Sequence, residues 1–224
     1  MVFDNDAWRQ SGESMEGGYE EINEEIVTRF GILFGAGEVG GDDDVAESVV
    51  DSSEIINTLA GGGVSTIGYA AEEVEMQDSG GLLSRFTGGD GDAGDTAHTT
   101  NRITSLVRKA ALGRLTLPCE IDGSERALLV MSGPPEHLNR KGIERGRKWL
   151  EEQTGSMEVR GGDYPVNEPN VASVVLLSGV TNVPRIKELQ QVAIEAQENI
   201  DDIRQESEEN LENLVEDEED ELDP

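Results

Sequence analysis

The sequence predicts an α/β fold, and three observations carry that expectation. From Tyr19 to Phe34 apolar residues recur at spacings of three and four, as a helix with one buried face requires. Three short runs, VSTIGYA (64–70), ALLVMSG (127–133) and VASVVLLSG (171–179), have the length and composition of strands. Helical patterns alternate with them, the arrangement of a sheet covered by helices.

Ile22, Ile26, Val27, Phe30, Leu33 and Phe34 supply the apolar positions of the first helix, and GAGEVGGDDD is expected to end it. Asp51 to Leu59 reads as a short helix, with Gly61 to Gly63 as its stop and Val64 to Ala70 as the strand that follows. Between Glu72 and His98 the composition turns to Gly, Asp and Ser, with little apolar to bury. This stretch, 75–98, is expected to be a flexible loop dividing a first region, 1–74, from a compact α/β region, 99–182. In the second region a helix is expected at Thr99–Leu112, a strand at 127–133, a helix at Asn139–Gln153, and strands at 156–162 and 171–179. From Pro184 onward Ile186, Leu189, Ala193, Ala196, Ile200 and Ile203 keep helical spacing. Residues 183–224 should therefore form a long helix that frays into the acidic VEDEEDELDP.

A chain of 224 residues with 35% hydrophobic content can build a core. Its 48 acids against 17 bases give a net charge of −31, which repels nucleic acid and anionic membrane surfaces. Among the bases only Lys109, Lys141, Lys148 and Lys187 are lysines, and the acids run along the whole chain. That pattern points to a protein of molar-salt cytoplasm, where a Debye length of about 3 Å lets like charges crowd at little cost. A single cysteine, Cys119, forms no internal disulfide, and His98 and His137 lack a metal-ligand spacing, which argues against a metal site or redox chemistry. The first thirty residues carry no apolar signal-like run, and VASVVLLSGV (171–180) is half the length of a membrane span. A soluble, cytoplasmic protein without a transmembrane segment is expected.

DSSE at 51–54 admits two readings. As a capping box, Asp51 accepts from the Glu54 backbone N–H and the Glu54 side chain reaches back. As a catalytic pair, a carboxylate held at a helix start orients a water for attack on a phosphate. The local residues favour the cap but do not decide. GGGV at 61–64 runs from helix to strand, the reverse of a phosphate cradle, and reads as a turn. Asp90, Asp92 and Asp95 hint at a calcium loop, but Gly94 stands where a third ligand belongs and no glutamate follows at the required distance. Tyr19 and Asn23 lie four apart on one helix face, where an aromatic plane could stack a base while an amide pairs with its edge; ordinary helix surface is the simpler reading.

Taken together, FDNDAW (3–8), GYEEINEEIVTRFG (18–31), VVDSSEIINTLAGGGVSTIGYA (49–70), TTNRITSLVRKAALGRLTLPCEI (99–121) and RKGIERGRKWLEEQTGSMEVRGGDYP (140–165) resemble CetZ, the haloarchaeal branch of the tubulin and FtsZ superfamily. The resemblance implies the remnant of a tubulin/FtsZ-type GTPase domain, with its core helix and synergy loop, then an α/β C-terminal activation domain and an acidic helical tail. Subunits of that family stack head to tail with GTP, accompanied by Mg²⁺, between neighbours. Carried over by position, Asn5, Tyr19 and Asn23 would contact the guanine. VVDSSE would be the synergy loop, with Glu54, and Asp51 beside it, acting on the neighbouring subunit's nucleotide. A cap in the free subunit could then become a catalytic group in a filament. The family's glycine turn and GGGTGSG-like phosphate loop do not occur in this sequence, so the chain is expected to begin in mid-domain and to hold one edge of the base pocket. The exposed side of the core helix should then be an apolar patch. Two functions follow: part of a polymerising GTPase involved in cell shape or division, or a non-enzymatic modulator that caps or co-assembles with full-length filaments. A stand-alone hydrolase lacks a nucleophile and a metal site.

Overall fold

The computed structural model describes residues 1–5, 19–38, 50–75 and 92–220, without the side chains of 19, 38, 92–95 and 211–220. Most of the expected loop, residues 76–91, and the last four tail residues lie outside that description. The chain divides into two compact units, Met1–Val183 and Pro184–Pro224.

Helix α1 spans Tyr19–Glu38 and buries Ile22, Arg29, Leu33 and Ala36 on one side. It runs four residues beyond Phe34, through the glycines expected to end it. A Cβ at Gly35 would lie 2.8 Å from the Tyr164 hydroxyl, so the glycine there admits a neighbouring strand. Packing of that last turn outweighs the roughly 1 kcal/mol that a glycine costs inside a helix. Helix α2 is Ser52–Leu59, with Ile55 and Thr58 buried. Gly62 and Gly63, at φ 78° and 74°, turn the chain into strand β1, Val64–Glu73, as expected of GGGV.

Helix α3 covers Asp92–Leu112, and its first turns take in 92–98, which composition alone assigns to the loop. Strand β2 is Arg126–Gly133, a short 3₁₀ turn covers Pro135–His137, helix α4 is Arg140–Thr154, strand β3 is Glu158–Pro165 and strand β4 is Asn170–Val180. Asn139 caps α4 by accepting from the Gly142 N–H at 2.7 Å, and Gly155 at φ 67° ends it.

The four strands form one sheet in the order β1-β4-β2-β3. β4 pairs antiparallel with β1 and β2, and β2 pairs parallel with β3 across the α4 connection. Strand β1 therefore belongs to the same sheet as the strands of 99–182, with Ile67 opposite Leu176. Alternation sends Leu128, Val130, Val174 and Leu176 toward α1 and α2, where they join Leu33, Val50 and Ile55. On the other face Leu129 meets α4 at Gly146, and Ile103 and Val107 of α3 pack against α4. Covered on both sides, β2 and β4 read as nearly continuous apolar runs.

Arg29 enters this core. Its guanidinium donates to the Ile67 carbonyl at 3.5 Å and to Glu25 at 3.2 Å, and lies 6.0 Å from the Tyr69 ring centre. Glu25 also binds Arg114 at 3.3 Å. Burial pulls the Arg29 pKa down while Glu25 opposes the shift. The cluster ties α1 to β1 and to the segment after α3.

The second unit is one helix, α5, Pro184–Asp220. It continues through the acidic residues expected to fray, since no glycine or proline interrupts 185–223. Its side chains from Lys187 to Asn210 are exposed.

Candidate functional site

Asp51 precedes α2 in extended conformation, φ −105° and ψ 167°, and its Oδ1 accepts from the Glu54 N–H at 2.9 Å. The Asp51 half of the capping box is formed. The Glu54 amide and Ser53 hold the exposed Asp51 carboxyl below its ordinary range.

Glu54 is shifted the other way. Burial raises its carboxyl pKa first and the Asp51 charge second, against the pull of Arg160, Arg147 and the Asp51 amide. Its Oε2 is enclosed and has no hydrogen-bond partner among the described residues. Two acids three residues apart are thus driven apart in proton affinity by their surroundings, the pattern of an acid and base pair. Neither the enclosure of Glu54 nor the two arginines is written locally. Arg147 stands on α4 and Arg160 on β3, about a hundred residues downstream.

Helix α2 is held at its far end as well. Arg126 donates to the Asn57 carbonyl at 2.7 Å and binds Glu158 at 2.8 Å, and Glu158 binds Arg160 at 3.0 Å.

Asn5, Tyr19 and Asn23 lie elsewhere. Phe3 packs on Phe30 of α1 with ring centres 5.6 Å apart, while Val2 and Asp4 donate backbone bonds to Ser65 of β1 and to Thr116 after α3. Asn5 and Asn23 are exposed, with no hydrogen bond between them among the described residues; Tyr19 opens α1 and its side chain lies outside the description. The exposed Asn23 carboxamide offers both a donor and an acceptor, which suits the edge of a base. Among the described residues no group of three or more His, Cys, Asp or Glu could hold a metal ion. Asp90 of the rejected calcium loop lies outside the described residues.

Tyr19 and Asn23 stand at the opposite end of α1 from the start of α2. A Cβ at Gly37 would lie 3.4 Å from the Ser52 Cα, so α2 begins beside the helix's last turn, while Asn23 is fourteen residues earlier. At 1.5 Å per residue that separation is roughly 21 Å along the axis.

A family model described as the C-terminal domain of tubulin-like CetZ matches residues 12–195. The chain belongs to the CetZ family of tubulin-like proteins. It is 79% identical over 210 residues to tubulin-like protein CetZ1 of Haloferax volcanii, a match covering 92% of this chain and 53% of that protein. A structure of a GDP-bound CetZ1 monomer from Haloferax volcanii aligns with a TM-score of 0.69 at 71% identity, over 88% of this chain and 50% of that one. A GTPγS-bound protofilament of CetZ2 from the same organism aligns with a TM-score of 0.69 at 39% identity, over 89% of this chain and 51% of that one. The chain thus spans about half the length of these CetZ relatives. The fold is that of a tubulin/FtsZ-like C-terminal domain, a four-stranded sheet with helices on both faces. Among the described residues no helix is long and apolar enough to cross a membrane.

Proposed function

We propose that this chain is the C-terminal part of a cytoskeletal GTPase whose subunits stack head to tail, and that Glu54, with Asp51 beside it, serves the nucleotide of the adjoining subunit. The observation that carries this reading is the separation along α1. Asn23 stands near one end of α1 and the half-buried Glu54 carboxylate on the helix beside the other, roughly 21 Å along the axis, an arrangement that suits one subunit holding the guanine and the next presenting the carboxylate. Stacking brings the α2 end of one subunit to the Asn23 end of the next.

In the free chain Glu54 lies in the first turn of α2, which Asp51 caps, and the raised carboxyl pKa keeps it a better proton acceptor than an ordinary glutamate. Beside a neighbour's nucleotide its carboxylate would orient the attacking water, and Asp51 would hold the helix start that presents it. Asn5 and Asn23 would read the guanine edge and Tyr19 would stack on its face. GTP supplies the reactive phosphate, and the phosphate contacts belong to the half of the relatives that this chain does not span. The CetZ2 protofilament and the nucleotide-bound relatives support assembly and guanine-nucleotide binding as family properties. A cytoplasmic location and a role in cell shape or division are part of the same proposal.

Calorimetric titration of the chain with GTP in molar KCl tests the division of labour. Negligible heat is expected of a chain that holds one edge of the base pocket, whereas micromolar binding would show a complete nucleotide site and overturn it.

A further inference from the structure

Helix α5 carries a second periodicity that the nucleotide site does not use. Ile186, Leu189, Ala193, Ala196, Ile200 and Ile203 follow one another at spacings of 3, 4, 3, 4 and 3. These are the a and d positions of a heptad, a stripe narrower than the face a helix presents to a globular core. Leu189, Ile200 and Ile203 are 53%, 57% and 66% exposed.

The row reads nearly the same from either end: two large aliphatic residues, two alanines, two large aliphatic residues. We infer that α5 pairs antiparallel with α5 of a second copy of the chain, about a two-fold axis between Ala193 and Ala196. The pairing sets Ile186 against Ile203, Leu189 against Ile200 and Ala193 against Ala196, each contact made twice, as an isologous interface requires. Alanines at the centre let the two backbones approach, and the large residues close both ends.

Charge selects the same arrangement. The acids Glu188, Glu195, Glu198, Asp201 and Asp202 fall on the outer heptad positions, away from the seam. Beside the seam, Gln190 meets Gln197 and Val192 meets Asn199 of the other copy. Arg185 of one copy faces Glu206 of the other, twice over. Arg185 already binds Glu188 within its own helix at 3.2 Å, and Glu206 adds a second acid across the seam. No like-charged pair flanks the antiparallel seam. A parallel pair would instead bring the two acidic C-terminal stretches together and align the helix dipoles. The flanking positions thus set orientation.

The paired segment, eighteen residues, is about 27 Å long, so association is reversible and concentration dependent. Molar salt screens the outer acids and strengthens it. This contact is distinct from head-to-tail stacking and does not depend on Glu54 or on GTP; it supplies a way for filaments or free subunits to associate sideways.

Sedimentation equilibrium of the 224-residue chain in 2 M KCl tests the pairing, with helicity followed by circular dichroism. A monomer–dimer equilibrium is expected that weakens in dilute buffer. Ile200→Asp should weaken it at least tenfold, and Phe34→Asp, on α1, should leave it within about twofold. Arg185→Glu and Glu206→Arg should each weaken it severalfold, and the double exchange should restore it, since only the antiparallel register joins those two positions. The exchange series decides the matter if Ile200→Asp loses helix. A chain that stays monomeric in 2 M KCl overturns the inference. So does a dimer sensitive to Phe34→Asp but not to Ile200→Asp, or one that the double exchange fails to restore.

Discussion

At the scale of single residues, Asp51 and Glu54 show how a local signal and a distant one combine. The cap was legible because its donors and acceptors lie within three residues of each other. What makes Glu54 unusual, its part-burial and the charges of Arg147 on α4 and Arg160 on β3, has no local trace. The same holds for Arg29, whose partners include Ile67 and, through Glu25, Arg114. The linkage at Glu54 has a definite sign. Because folding raises this carboxyl, the unfolded chain gives up the proton first, and stability falls as pH climbs from the ordinary glutamate range through the raised folded value. Below that range both states are protonated and the penalty is gone. Glu54→Gln, which keeps the shape of the side chain and removes its charge, should therefore raise the melting temperature at pH 7, and the gain should shrink toward pH 4. A melting temperature lowered at pH 7 would show that the carboxylate stabilises the fold. Asp51 behaves oppositely: its depressed carboxyl contributes stability above the ordinary aspartate range that is lost as pH falls through the folded value.

At the scale of elements, every helix and strand expected from periodicity is present, and the differences fall at ends and pairings. Helix α1 overruns its glycines because Tyr164 packs where a side chain would have been, a contact 129 residues away along the chain. Helix α3 begins in residues whose composition suggested a loop, since Gly94 and the flanking acids precede a strongly periodic stretch that extends the helix backward. Strand β1 was legible as a strand, but its partner, β4, lies a hundred residues downstream, so grouping it with the first region missed the sheet it joins. The closeness of that packing is measurable at Gly68. A Cβ there would lie 1.9 Å from the Ala110 carbonyl oxygen, so α3 or β1 must move to admit one. Gly68→Ala should destabilise the chain by about 1–3 kcal/mol or more, read from denaturant unfolding. A loss below a few tenths would mean that the α3–β1 contact is looser than the structure shows.

For the whole molecule, the CetZ resemblance was legible from long segments in fixed order, and the family comparison and the fold agree with it. The exposed side of α1 also fits the expectation of an apolar patch: Val27 is 68% and Phe34 47% exposed, and Phe34 stacks on Phe30 at 5.3 Å. Net charge of −31 sets the solution behaviour. Repulsion among acids opposes compaction at low ionic strength and is screened in molar salt, so the melting temperature should climb markedly from dilute buffer to 2 M KCl. An unchanged value would mean that the acids are neutralised within the fold. The central claim is that Glu54 acts on a neighbour's nucleotide, and GTP turnover tests it most directly. The chain would be joined to the N-terminal half of the Haloferax volcanii CetZ1 relative and assembled in molar KCl, with Glu54 intact or changed to Ala. Glu54→Ala is expected still to bind GTP and assemble, while turnover falls by about 10²-fold or more. Equal turnover in filaments of equal mass would contradict it.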